Sequence, residues 1–191
     1  MKNNIHIITL AGDIASGKGT ISNIMKLKLN YEIYRNGEYF RSLAKEHNMS
    51  VKDFNIYVES HSEIDFEIEK SAEKYARDHD NLIIDARLGW YAVPYSFKVY
   101  LKTDLKEAAR RLYLDDIRDK SVELYSSVEE AEREIAERFK LENDRYLSIY
   151  GVKKDDMSNY DYVLDTTNIL PEVAADKIIT EYFNWLKKQE N

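Results

Sequence analysis

A short segment near the start of the chain, Gly12-Asp13-Ile14-Ala15-Ser16-Gly17-Lys18-Gly19-Thr20, limits what the rest can fold into. It follows an apolar run, Ile5-His6-Ile7-Ile8-Thr9-Leu10, and leads into Thr20 to Leu29, which has helical patterning. Glycines at these spacings let the backbone curl until several N–H groups point at one centre, and the helix that follows adds its positive end. A strand–loop–helix with a lysine in this place is a phosphate-binding loop of the G-x-x-x-x-G-K type. Gly12, Asp13, Ala15, Ser16, Gly17, Lys18, Gly19 and Thr20 are therefore the expected ATP contacts, with Lys18 reaching the β- and γ-phosphates. The hydroxyl that usually follows the lysine directly is displaced by Gly19. Thr20 is then the nearest hydroxyl for Mg²⁺.

Composition narrows the class further. The chain has 191 residues, enough for one core and one domain over 1–191. Its formal charge of −7 speaks against a general nucleic-acid binder, although a few local cations serve a small phosphorylated ligand. Cysteine is absent, which removes disulfides and thiolate metal sites. No secretory leader or membrane-length apolar run is visible. The expectation is a cytoplasmic protein, monomeric or homodimeric, that works on small nucleotides and not on nucleic acid or membranes.

Short apolar runs alternate with helical patterns along the chain. Strands are expected at Glu32 to Tyr34, Leu82 to Asp85, Phe97 to Leu101 and Tyr162 to Asp165. Helices are expected at Gly37 to His47, from Ser50 with Asp53 at its third position, and at Ser62 to Asp78 with Ile64, Ile68, Ala72 and Tyr75 on one stripe. Others are expected from Asp104 to about Lys120, from Ser127 to Tyr150 with Ser127 and Glu130 in capping-box spacing, and from Pro171 to near Lys188. Such alternation implies an α/β fold with a parallel sheet covered on both faces.

Three further segments carry candidate site residues. Asp85, at the end of a central strand, should lie beside the loop and hold Mg²⁺ directly or through water; a turn cap is the other reading. Arg87, two residues on, can point into the same crevice or make a surface ion pair. Gly37 allows the chain to turn after the second strand. Arg41, one helical turn later, suits a monophosphate or faces solvent. Arg138, Glu142 and Arg145 share a helix face, which fits either a clamp on a transferring phosphoryl group or a solvated helix laced with Glu–Arg pairs.

The ordered set is more specific than any one motif. Gly37-Glu38-Tyr39-Phe40-Arg41-Ser42-Leu43-Ala44-Lys45-Glu46, Met49-Ser50, Phe54-Asn55 and Glu63-Ile64-Asp65 resemble the acceptor-binding segment of the short, archaeal-type cytidylate kinases. Arg138 to Val152 is similar to that family's lid-to-final-strand region, and Asp156 to Thr166 to its closing motif. The resemblance runs from Ile5 to about Ile179. It implies a three-layer P-loop NTPase fold with a five-stranded parallel sheet, as in nucleoside monophosphate kinases. An acceptor-binding segment would span about 36–80 and a lid about 111–145. It implies γ-phosphoryl transfer from ATP to CMP or dCMP with Mg²⁺. Lys18, Arg87, Arg138 and Arg145 would be catalytic, Arg41 and Arg87 would hold the acceptor phosphate, Asp65 would read its nucleoside, and Asp165 and Thr166 would lie near the donor base.

Ala86 stands where the family usually has glycine, Leu88 to Tyr91 is bulky, and Leu112 to Val128 is long, with Asp115, Asp116 and Asp119 around Arg118. These departures keep two alternatives open: a kinase for another small molecule or nucleotide, and a nucleotide-binding P-loop module without transfer.

Overall fold

Strand β1 (Ile7–Gly12) is buried along almost its whole length, the continuous apolar pattern of a strand covered on both faces. The computed structural model describes residues 6–49, 53–54, 57–58, 60–114 and 125–189. Around β1 run β2 (Glu32–Arg35), β3 (Leu82–Asp85), β4 (Phe97–Lys102) and β5 (Tyr162–Asp165). They form one five-stranded sheet, all parallel, in the order β2-β3-β1-β4-β5. The α/β expectation holds. The order reverses direction at β1, so the loop after Gly12 opens at the switch point of the sheet, where open α/β folds bind ligands.

The helices are α1 (Lys18–Leu29), α2 (Asn36–Glu46), α3 (Ser62–Asp78), the short α4 (Gly89–Ala92), α5 (Leu105–Leu114), α6 (Val128–Tyr150) and α7 (Pro171–Gln189). Their ends follow local chemistry. Ser127 Oγ accepts the Glu130 amide at the start of α6. The Glu130 carboxylate then takes the amide and hydroxyl of Ser126, so the expected capping box is shifted by one residue on its return side. Gly151, at φ 70°, ends α6 by donating its amide to Leu147. Pro171 opens α7 as the sequence predicts.

Several boundaries differ by one or two residues. β1 runs to Gly12, not Leu10, because Gly12 still pairs with Leu101 of β4. α1 begins at Lys18 instead of Thr20, since Gly17 in the left-handed region is its N-cap. α2 starts at Asn36 and stops at Glu46. The stripe on α3 contains buried Ile64, Ile68 and Ala72, but its fourth buried member is Ala76, with Tyr75 half-buried beside it. The Ser50 cap and the stretch containing Asp115, Asp116, Arg118 and Asp119 lie outside the described residues.

Alternate residues of the central strands serve opposite faces. Ile8, Leu10, Ile83, Val99 and Leu101 pack with Ile21 and Met25 of α1 and Ala174, Ile178 and Tyr182 of α7. Ile7, Leu82 and Ile84 pack with Ala72 and Ala76 of α3 and with Val93. Two smaller apolar clusters stand apart from the sheet. Leu43, Ala44, Phe54, Val58, Ile64 and Ile68 form one beneath α2 and α3. Ala108, Ala109 and Leu112 of α5 form the other with Ala131 and Ile135 of α6.

Candidate active site

The loop after β1 is held from behind. Gly12 sits so close to β4 that a Cβ there would fall 2.5 Å from the Leu101 carbonyl oxygen, so glycine is a requirement of packing. The Asp13 amide donates to Leu101 O at 2.9 Å. Its carboxylate accepts the Tyr100 hydroxyl at 2.5 Å and the Thr103 amide at 2.8 Å. Burial first, and then this bond to Asp13, raise the Tyr100 hydroxyl above the ordinary tyrosine range. Asp13 lines the cleft and also anchors the loop, its amide and carboxylate bonded to Leu101, Tyr100 and Thr103.

A cleft of about 400 Å³ opens above residues 12–20 and is walled by Arg87, Arg111, Leu112, Arg138 and Glu142. Ala15 (φ 57°) and Gly17 (φ 84°) both lie in the left-handed region, which curls the backbone here. The buried Ser16 hydroxyl has no hydrogen-bond partner among the described residues. A buried, unsatisfied hydroxyl in an anion cradle is what a polyphosphate oxygen would satisfy, so the residues fit the triphosphate the sequence implies. Lys18 Nζ stands 3.5 Å from Asp85 Oδ1, and Arg35 Nε 3.9 Å from Asp85 Oδ2. The strand-end carboxylate and the loop lysine thus meet as expected.

Arg111 was not singled out from sequence. It donates to the carbonyls of Ala15, Thr166 and Thr167 at 3.1, 2.7 and 2.9 Å, and pairs with Glu107 one turn away. Only the fold brings β5 to the loop, so no local pattern marks it. Arg35 was also missed, although its place opposite Asp85 at the end of β2 was a usable signal.

Across the cleft, Glu142 gathers cations. Arg87 Nε lies 3.1 Å from Oε2, Arg138 Nε 3.2 Å from Oε1, and the Lys154 ammonium also bonds Oε2. On the α6 face Arg138 and Glu142 are an i,i+4 pair, and the pair stands in the wall of the cleft.

Burial works to raise the Glu142 carboxyl, but Arg87, Lys154 and Arg138 hold it down at about 2, against an ordinary 4.5. A depressed folded-state value stabilises the protein above pH 4.5, and that stabilisation drains away as pH falls toward 2. It amounts to about 3 kcal/mol near neutrality by the pKa–energy conversion. Glu142→Gln should accordingly show a shallower loss of stability than the parent between pH 6 and 3, measured by urea unfolding at each pH. Parallel curves would rule out Glu142 as a source of the acid sensitivity.

The other expected residues are distributed unevenly. Thr20 reaches the cleft. Thr166 is buried, its hydroxyl bonded to Ser16 O at 3.0 Å and to Thr103 Oγ1 at 2.8 Å, and so braces the loop. Asp165 is exposed at the end of β5, where its carboxylate accepts the Thr167 amide, away from the cleft lining. Arg145 also lies outside that lining, its guanidinium 5.4 Å from the Tyr146 ring. Gly37 and exposed Arg41 sit on α2, and Asp65 on the first turn of α3.

Comparison with known proteins decides the family. A profile of the Cytidylate kinase-like family matches residues 7–168. The chain belongs to the cytidylate kinase-like family. A cytidylate kinase of Thermoplasma volcanium is 36% identical over 187 residues, which cover 95% of this chain and 94% of that protein. One from Thermoplasma acidophilum is 34% identical, covering 88% of this chain and 87% of that protein. Among solved structures, shikimate kinase from Bacteroides thetaiotaomicron superposes with a TM-score of 0.62 at 14% identity, over 96% of this chain and 99% of that one. At that identity the likeness concerns the fold, which is that of a P-loop kinase. The family assignment and the cleft agree on one class of chemistry, ATP-dependent phosphotransfer. No described helix of this cytidylate kinase-like chain is long and apolar enough to cross a membrane.

Proposed function

We propose that this chain is a nucleoside monophosphate kinase that moves the γ-phosphoryl of ATP to CMP or dCMP in the cytoplasm. The observation that carries this is the convergence of Lys18, Arg87, Arg111 and Arg138 on one cleft above a phosphate loop. Phosphoryl transfer asks for alignment, charge neutralisation and exclusion of water more than for covalent chemistry, and this cleft is built from groups of that kind.

In this reading the loop amides and Lys18 hold the donor phosphates. Arg87 orients the acceptor phosphate. Arg138 neutralises charge on the phosphoryl group as an acceptor phosphate oxygen bonds to the γ-phosphorus and the bond from phosphorus to the β–γ bridging oxygen breaks, leaving ADP. The Thr20 hydroxyl, with Asp85 directly or through water, would hold Mg²⁺, which supplies charge neutralisation on the donor phosphates. Arg41 on α2 and Asp65 on α3 belong to an acceptor-binding segment, about 36–80, that closes over the monophosphate, and 111–145 forms the lid. Closure keeps water from the γ-phosphoryl. Arg145, off the cleft wall, would enter only on closure.

A coupled ADP-release assay over CMP, dCMP, UMP, AMP and shikimate tests the reading, with CMP or dCMP expected to give the highest kcat/KM. Preference for another acceptor would overturn the substrate assignment, and ATP binding without transfer to any acceptor would overturn the activity. In the same assay Arg41→Ala should raise the KM for CMP about tenfold or more, the loss expected for a charge-assisted contact, with the KM for ATP little changed. An unchanged KM for CMP would remove Arg41 from the acceptor site.

A further inference from the structure

A buried carboxylate in the wall of an anion-binding cleft is electrostatically misplaced unless something cancels it. Glu142 is only 8% exposed, and it touches both arginines expected to meet phosphate. Left alone, it would repel the incoming phosphates and compete with them for Arg87 and Arg138. Lys154 answers that problem from the protein side. It is 2% exposed and lies outside the cleft lining. Its ammonium bonds Glu142 Oε2 and sits 4.4 Å from the Phe139 ring. Its backbone is fixed at both ends: the amide donates to Asn143 Oδ1 at 3.1 Å, and the carbonyl accepts the Tyr160 hydroxyl at 2.5 Å. Such anchoring holds the ammonium behind Glu142, where it cannot swing out to a ligand.

We propose that Lys154 is a positioning residue for phosphoryl transfer. It neutralises Glu142, so that this carboxylate aligns Arg87 and Arg138 through their Nε atoms without withdrawing their charge from phosphate. The proposal rests on the reading above, that the cleft transfers a phosphoryl group between nucleotides. Without Lys154 the net charge of the cluster drops from +2 to +1, and the carboxylate that remains holds the arginines against the phosphates.

Steady-state kinetics with ATP and CMP on Lys154→Met, Glu142→Gln and the double variant test this. Lys154→Met should lower kcat about tenfold to thirtyfold while the KM for ATP stays within about threefold. The double variant, in which the cluster regains its net charge, should recover at least about fivefold of that loss. A Lys154 that merely packs the turn after α6 would leave the double variant as slow as the single one, and that result overturns the proposal. So does a Lys154→Met enzyme with parental kcat. Should Lys154→Met alone fail to fold, the Glu142→Gln background carries the test. Removing Lys154 there should change kcat by less than about threefold, and a drop of about tenfold overturns the proposal. A parent protein that transfers nothing to CMP would sink the kinase reading instead, a separate outcome of the same assay.

Discussion

Arg138→Ala is expected to lower kcat by about 10³-fold or more, the scale set by arginines that stabilise the transferring group in related reactions. The affinity for ATP, measured by calorimetry, should change little, because in the proposed reading the loop amides and Lys18 hold the donor phosphates. Arg138 stands on the cleft wall with its Nε on Glu142, so its position is set before any ligand arrives. Arg145, two helical turns further on, is off that wall and against Tyr146. Arg145→Ala should therefore cost less, about tenfold, in keeping with a contact made only on closure. Equal losses for the two variants, or a near-parental Arg138→Ala, would show that a place on the cleft wall does not set an arginine's part in transfer.

Gly12→Ala should damage both stability and nucleotide binding. The added Cβ would lie 2.5 Å from Leu101 O, 2.9 Å from Leu101 Cβ and 3.0 Å from Leu101 N. Two of those atoms are backbone of a buried neighbouring strand, so no rotamer change relieves the clash. β1 and β4 must separate where Gly12 pairs with Leu101 and where the Asp13 amide is bonded. The cost should be about 1–3 kcal/mol of unfolding free energy, as for overpacked cores. ATP binding should weaken by at least about tenfold as the amide cage shifts, since a displacement of this size can cost about a hundredfold in a site built on geometry. Gly19→Ala is the control for stability. A Cβ there meets nothing within 4 Å and sits in a helix, so chemical denaturation should find it neutral or stabilised by up to about 1 kcal/mol. If both variants unfold alike, the close approach of the strands is not what Gly12 is for.

The features legible in the sequence were those written in local periodicity. The five strands and the helices α1, α2, α3, α6 and α7 each carry their own apolar pattern or cap, and the loop announces itself by glycine spacing. Local periodicity does not write what lies across the sheet. The Thr166 hydroxyl turns inward because β5 ends against Ser16 O. Asp13 likewise bonds Leu101, Tyr100 and Thr103, partners about 90 residues away that no local pattern marks. Arg111 and Lys154 gave no signal at all. Their partners lie up to 96 residues away for Arg111 and 12 for Lys154, and nothing around either residue distinguishes it from a surface cation.

The two satellite clusters, one beneath α2 and α3 and one between α5 and α6, have a mechanical consequence. In the closure proposed above, the α2 end of the acceptor segment would move with its own apolar cluster, while Ala72 and Ala76 keep the far half of α3 on the sheet. The α5–α6 cluster also packs Ile14 and Ala15, so a moving lid would pull directly on the phosphate loop.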